Sequence, residues 1–325
     1  MNVEKVSIII PCFNNATYIG DAIRSALSQT YPEIEVIVID DGSTDGSDAV
    51  IARFGGSIVH LRQENSGACV ARNRGLDVAN GTWIKFLDGD DILMPDCVER
   101  QIAVAQGRSA VIFGDFNLLH EDGHVEPHPT HEASSGLSKG DKAGLKTFFY
   151  SLVLISTTLY PVHILRRIGG FDPLVKRGQE QELHLRLYGN GVDFEYQPLI
   201  CFSYREHFSL HRISVSIPKV SHFRYRQNFV SLLDLMRNGP RRADWEGNRK
   251  VLGIRAWRTG RSLLRAGETT RAEEFFALSR SLCGSEAILG SGAYKYLVRL
   301  FGPIMAERVS TLAYHLRKPI KKFKF

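Results

Sequence analysis

Two patterns of apolar spacing alternate along the first third of the chain. Val6–Ile10 is a short apolar run closed by Pro11, which reads as a buried parallel strand. Thr17–Thr30 then sets Ile19, Ala22, Ile23, Ala26 and Leu27 at helical spacing. Glu35–Ile39 is a second buried strand. It ends in Asp40-Asp41-Gly42-Ser43-Thr44-Asp45, which supplies turn and N-cap groups for a helix over roughly 46–54. The alternation continues with a strand at Ile58–Leu61, a helix at Gly67–Ala79, a strand at Trp83–Leu87, a helix from about Pro95 and a strand at Ala110–Phe113. Strands and helices alternating at this interval predict an α/β fold: a mostly parallel sheet with helices on both faces. The crevice of such a sheet lies beyond the carboxyl ends of its strands. Asn14, Asn15, Asp40, Asp41 and Asp88–Asp91 all fall there.

The second half reads differently. Glu121–Lys142 is rich in His, Gly, Ser and Pro and is expected to be a long surface loop. Helix and strand signals return over Leu145–Tyr160. Gly169-Gly170-Phe171-Asp172-Pro173 is a turn, and Gln179–Tyr188 is a helix. From about Pro218 the pattern is mainly helical. The expected division is a sheet domain over residues 1–215 and a C-terminal helical lobe over 216–325.

Composition narrows the class. The chain has 325 residues, 43% hydrophobic and 23% charged, which excludes disordered, collagenous and coiled-coil proteins. Its apolar runs fall well short of the roughly 18–20 residues that cross a bilayer. The segment Met1–Lys5 carries Glu4 and has no apolar stretch of secretory length, so no cleaved signal is expected. The five cysteines are widely spaced with no C-x-x-C, the usage of a reduced, cytoplasmic protein. Charge is unevenly distributed. Residues 201–325 hold 24 Lys/Arg and 9 Asp/Glu, a balance of +15, whereas residues 1–200 hold 17 and 26, a balance of −9. The acidic part suits a metal or cationic group, and the basic part an anionic partner.

The strongest chemical signal is Asp88-Gly89-Asp90-Asp91. Carboxylates directly after a buried strand repel one another unless a cation or ligand compensates. Asp40-Asp41 ends a neighbouring strand, so both clusters meet on one rim. Hard divalent cations such as Mg²⁺ or Mn²⁺ prefer such oxygen ligands and leave positions for phosphate oxygens.

These residues carry a resemblance. Val6-Ser7-Ile8-Ile9-Ile10-Pro11-Cys12-Phe13-Asn14-Asn15, Leu27-Ser28-Gln29-Thr30-Tyr31-Pro32 and Val36-Ile37-Val38-Ile39-Asp40-Asp41-Gly42-Ser43-Thr44-Asp45 closely resemble family 2 glycosyltransferases. So do Asn65-Ser66-Gly67, Ala71-Arg72-Asn73 and Phe86-Leu87-Asp88-Gly89-Asp90-Asp91, the likeness running from about residue 5 to about residue 205. It implies a GT-A fold and transfer of a sugar from a nucleotide donor, a UDP-sugar in particular, with inversion and a divalent metal, Mn²⁺ or Mg²⁺. By the same resemblance Asp41 reads the nucleotide base with Phe13 and Pro11 nearby. Asp88 lies near the ribose, Asp90 holds the metal that bridges the diphosphate, and Asp91 caps the following helix or supports the residues around the metal. Arg72 is either a donor contact or a sheet-packing arginine, and Trp83 is core.

Gln179-Glu180-Gln181-Glu182 is the second chemical element. Related enzymes commonly carry a Glu-Asp pair at the positions of Gln179 and Glu180, so the chain departs from the pattern at both. The second position is the expected general base, here Glu180. Glu182 competes, but sits where it can pair with Arg186 at i+4. Asp172 either binds an acceptor hydroxyl or caps its turn. The segment Tyr204–Arg212 ends the likeness; in the family it closes over the donor, which would direct Arg205 to diphosphate and His207 to metal or phosphate. The expected partners are a nucleotide-sugar donor and a saccharide or lipid-linked acceptor, as in surface polysaccharide assembly. A nucleotide-dependent oxidoreductase would need G-x-G-x-x-G after the first strand, and Pro11–Asn15 has none. The alternative class is a membrane- or nucleic-acid-binding module built on the basic lobe. Because that lobe interleaves its charges with Leu, Phe, Tyr and Trp and has no nucleic-acid motif, its charges are read either as solvated helix faces or as a contact with an anionic membrane surface, and nucleic acid is not expected. Ile320, Phe323 and Phe325 among Arg317, Lys318, Lys321, Lys322 and Lys324 would then hold the enzyme peripherally on the inner face of the membrane.

Overall fold

The computed structural model describes residues 4–105, 107–128, 130–151, 153–207, 222–288 and 290–317. The tail beyond Arg317, the start of the helical pattern at Pro218 and the end of the Tyr204–Arg212 segment lie outside them. The chain forms two compact units, residues 1–241 and 242–325.

The first unit is built on one nine-stranded sheet. β1 (Val6–Cys12) lies between β2 (Ile34–Asp40) and β4 (Trp83–Phe86), with β3 (Val59–Arg62) outside β2, all parallel. Ile8, Ile9, Ile10, Ile37, Val38, Ile39, Ile84 and Phe86 are fully buried, as unbroken apolar runs require when helices cover both faces. α1 (Ile19–Leu27) buries Ile19, Ala22, Ile23 and Ala26, and α3 (Ala68–Val78) buries Cys69, Ala71, Arg72 and Leu76. α2 (Ser47–Ala52) and α4 (Cys97–Ala105) complete the covering set. Trp83 is core, its indole N–H donating to Glu4 at 3.0 Å.

Beyond β4 the sheet is mixed. β8 (Thr158–Pro161) runs antiparallel to β4, and β6 (Val111–Leu119) antiparallel to β8. β9 (Phe194–Arg205) is parallel to β6, and β5 (Ile92–Leu93) pairs antiparallel with its end. The parallel half is thus as the apolar runs predict, and the alternation of elements does not reveal the antiparallel half. β9 escapes pattern reading because Pro198 interrupts it, at an irregularity in the register with β6. Gly114 sits on β6 at that point, where a Cβ would come within 2.5 Å of the Leu199 carbonyl oxygen. The expected loop at Glu121–Lys142 contains β7 (Val125–Pro127), paired with β6, and a short helix, α5 (His131–Ser135), capped by the Thr130 hydroxyl. Both are too short to leave a periodic signal.

α6 (Leu145–Tyr150), α7 (Val162–Arg167) and α8 (Gln179–Gly189) follow, and α9 (His222–Asn238) packs on α8. In the second unit α10 (Trp245–Arg265) and α11 (Thr269–Cys283) form an antiparallel hairpin with Trp257 against Phe276, and α12 spans Gly292–Arg317.

Candidate active site

The carboxyl ends of β2, β1 and β4 are adjacent, so both acidic strings arrive on one rim. The loops there are laced together by short polar side chains. Backbone N–H groups of Asn14, Asn15 and Ala16 donate to Ser43, Ser47 and Asp45 at 2.8–3.0 Å. Asn14 returns the contact, accepting from the Thr44 N–H at 2.8 Å, and adopts a left-handed φ of 49° to do so. Asp45 desolvates on approach, yet the N–H and hydroxyl donors from Ala16 and Ser47 hold its carboxyl below the ordinary range. Pro11 is half-buried and Phe13 exposed at this edge.

Asp41 is buried and organises the next element. One oxygen accepts from the Gln63 amide at 2.7 Å and the Ser66 N–H at 2.8 Å, and the other from the Gly67 N–H at 2.8 Å. Its carboxylate therefore lies at the start of α3, where a negative charge is stabilising. From inside α3, buried Arg72 reaches out in two directions. It donates to Asp88 at 2.6 Å and to the Gln179 side-chain carbonyl at 2.7 Å, with its guanidinium 5.3 Å from the Phe171 ring centroid. One arginine thus joins the acidic turn after β4 to the first residue of α8.

Within that turn Gly89 lies against β1. A Cβ there would sit 3.0 Å from the Pro11 carbonyl oxygen and 3.2 Å from the Asn15 amide. The end of β9 clamps the same turn from the other side. The Arg205 N–H donates to Asp91 at 3.0 Å, and the Arg205 side chain donates to the Asp90 carbonyl at 3.0 Å and pairs with Asp21 at 2.9 Å. The guanidinium also lies over Tyr18, 4.8 Å from the ring centroid. His207 Nε2 is 3.0 Å from Asp90 Oδ2, and its ring lies tilted against the same tyrosine, 4.5 Å between centroids. An imidazole nitrogen and a carboxylate oxygen are thus brought together beside the acidic turn, two atom types that can ligate a divalent cation.

α8 supplies the opposite wall. Glu182 forms the i,i+4 ion pair that its spacing predicts, with Arg186 at 2.8 Å; Arg186 also donates to the carbonyls of Ile168 and Gly170. Glu180 has no such partner in the same helix turn. Burial pushes its carboxyl above the ordinary value, and Asp88 adds to the rise, while a backbone hydrogen bond and the charges of Arg72 and Arg177 oppose it. One turn on, fully buried His184 accepts or donates at 2.6 Å with the Tyr160 hydroxyl, and burial holds its imidazole down at about 3. That neutral pair anchors α8 on β8. Asp172 caps its own turn, accepting the Leu174 N–H at 3.0 Å, and lines a cavity of about 480 Å³ with Glu182, Arg186 and Phe229.

One grouping has no signal in sequence spacing. Asp40, Asp48 and His60 offer ligand atoms within 4.8 Å of one another, brought together by β2, α2 and β3. Arg62 reaches into this cluster, 3.3 Å from Asp40 and 3.1 Å from Asp48, and itself supplies positive charge.

Comparison with known proteins bears on the family and the fold. The family model described as glycosyl transferase family 2 matches residues 7–158. An uncharacterized glycosyltransferase, RP339 of Rickettsia prowazekii (strain Madrid E), is 30% identical over 205 residues, 60% of this chain and 62% of that protein. The putative teichuronic acid biosynthesis glycosyltransferase TuaG of Bacillus subtilis (strain 168) is 40% identical over 124 residues, 36% of this chain and 49% of that one. The match therefore spans less than two thirds of the length of these relatives. Among solved structures, S. aureus TarS 1-349 in complex with UDP-GlcNAc superposes with a TM-score of 0.71 at 18% identity, over 96% of this chain and 92% of that one. That likeness is one of fold, and the fold is GT-A.

Proposed function

We propose that this chain, which belongs to the family 2 glycosyltransferases through residues 7–158, moves a sugar from a nucleoside-diphosphate donor to an acceptor hydroxyl in one inverting displacement. The observation that carries this reading is the Arg72 bridge. It ties Asp88 on the rim of the nucleotide half to the helix start that presents Glu180. The turn proposed to face the donor and the helix start that carries Glu180 are thereby tied together by one buried arginine, which supports a displacement across a single crevice.

In this mechanism Glu180 takes the proton of the acceptor hydroxyl as the new C–O bond forms at the anomeric carbon. The bond from that carbon to the diphosphate oxygen breaks, and the nucleoside diphosphate leaves with the electron pair. A carboxyl raised by burial suits a base that must hold a proton transiently. Asp41, Phe13 and Pro11 frame the base of the nucleotide, and Asp88 the ribose. Asp90 and His207 are the residues that would hold a divalent cation, Mn²⁺ or Mg²⁺, whose charge offsets that developing on the diphosphate. Arg205 already holds the Asp90 carbonyl and Asp21, so its part is to set the metal-binding turn in place, with any diphosphate contact added to that. Asp172 stands on the acceptor side. The TarS structures hold UDP-GlcNAc and UDP, which supports a uridine donor. TuaG's name supports a cell-envelope saccharide acceptor.

The test is a donor screen with purified protein and Mn²⁺ or Mg²⁺. It reads nucleotide release, then the anomeric configuration of the product by NMR. Release from one nucleotide sugar and an inverted product are expected. Retention of configuration would overturn the single displacement, and no release from any nucleotide sugar would overturn the activity.

A further inference from the structure

Thirteen large apolar side chains are exposed among the described residues, and five of them fall within one stretch of α12: Tyr296, Leu300, Phe301, Met305 and Val309. Each is 43–62% accessible, so this is not the scatter of single residues that any surface shows. The helix already has an inner side. Tyr294, Val298, Ala306 and Glu307 are buried, with Glu307 paired to Arg261 and accepting from the Tyr294 hydroxyl. Tyr296 and Leu300 lie two positions on from Tyr294 and Val298, which on a helix is the opposite side. Phe301, three positions on from Val298, lies nearer the inner side yet is exposed, and Met305 and Val309 follow beyond Gly302, so apolar side chains face solvent on more than the buried side of this stretch.

The backbone adds a break. Gly302 has φ 77° and ψ 169°, and Pro303 follows it, so α12 consists of two shorter helical segments. Neither segment is long enough to span a bilayer, and no helix among the described residues is long and apolar enough to cross one. A surface of this kind can lie on a bilayer but not pass through it.

Charge selects the occupant. Lys295, Arg299 and Arg308 are exposed beside the apolar side chains. Residues 290–325 carry eight Lys/Arg and a single acid, Glu307, which is buried. A second copy of the chain on this side would bring like charges together. A nucleic acid would satisfy the charges but leave the five apolar side chains in water. An anionic lipid surface satisfies both. We infer that the outer side of α12 is a docking surface for an anionic membrane, its apolar side chains entering the headgroup boundary and its basic residues facing lipid phosphates.

The experiment is sedimentation of the full-length protein with phosphatidylcholine vesicles, with and without about one third phosphatidylglycerol. Binding should require the anionic lipid and fall steeply between low salt and about 0.5 M salt, where charge is screened within a few ångströms. Charge reversal at Lys295, Arg299 and Arg308 should lower partition by at least about fivefold per residue, the equivalent of ~1 kcal/mol each. Serine at Tyr296, Leu300 and Phe301 should remove the binding that survives high salt. All substituted side chains are exposed, and unchanged melting temperatures would show that the variants fold. Equal partition onto neutral and anionic vesicles would overturn the inference. So would variants that bind as the parent does, or a concentration-dependent dimer that the same substitutions dissolve. The readout is binding in the absence of any sugar donor, so it stands or falls separately from the transfer reaction.

Discussion

Replacing Glu180 by Gln keeps the size and hydrogen-bonding reach of the side chain and removes its ability to take a proton. Turnover should fall about 10²–10⁴-fold, or about 2.7–5.4 kcal/mol of transition-state stabilisation, with donor affinity nearly unchanged. Stability should move the other way. Burial raises the Glu180 carboxyl above its ordinary 4.5. A carboxyl raised on folding stabilises the protein fully below its unfolded value and loses that contribution as pH rises through its folded value. At neutral pH the parent therefore holds an ionised carboxylate in a poorly solvated place, and Glu180→Gln should melt at a higher temperature. In acid, where both side chains are neutral, the two should melt alike. Glu182→Gln is the control, because it cuts the pair with Arg186 while Arg186 keeps the carbonyls of Ile168 and Gly170. Loss of that charged, half-buried pair should cost about 1.5–3 kcal/mol of stability and leave turnover close to normal. The assay is steady-state nucleotide release beside thermal melts in acid and at neutral pH. If Glu182→Gln abolished turnover and Glu180→Gln did not, the base would be Glu182. If Glu180→Gln melted lower at neutral pH, the environment assigned to Glu180 would be wrong.

Asp90→Ala should remove most of the metal dependence of nucleotide affinity by calorimetry; equal affinity with and without metal in the parent would refute the metal site. Arg72→Met withdraws a positive charge that opposes the rise at Glu180, so the acid limb of the pH–rate profile should shift to higher pH, and an unmoved limb would show that the two groups are uncoupled. Gly89→Ala places a methyl group 3.0 Å from the Pro11 carbonyl oxygen, and should lower stability by about 1–3 kcal/mol and weaken nucleotide binding; a neutral outcome in both measurements would mean that the turn can shift.

The parallel half of the sheet was legible in the sequence because burial on both faces leaves mostly apolar residues in each strand. Val6–Cys12, Ile34–Asp40 and Trp83–Phe86 could hardly be read otherwise. The acidic strings were legible for a related reason, since topology alone puts the residues after parallel strands on one rim. The choice between Glu180 and Glu182 was half-legible: the i,i+4 spacing to Arg186 predicts the pair, whereas the desolvation of Glu180 depends on what packs over it. The antiparallel pairing was not legible: strand signals mark the start of β6 and the region of β8 but not their direction, β5 and β7 are two and three residues long, and Pro198 breaks the pattern of β9. Only the tertiary structure decided the Arg72 bridge and the clamp of Arg205 on Asp90 and Asp91. Those contacts join residues 16, 107, 114 and 115 positions apart, and no local periodicity encodes a hydrogen bond between elements whose distance the whole sheet sets. The departure at Gln179 is the plainest case. As a sequence it looks like a missing carboxylate, and in the fold it is a neutral amide accepting from Arg72, which leaves the charge of that arginine for Asp88.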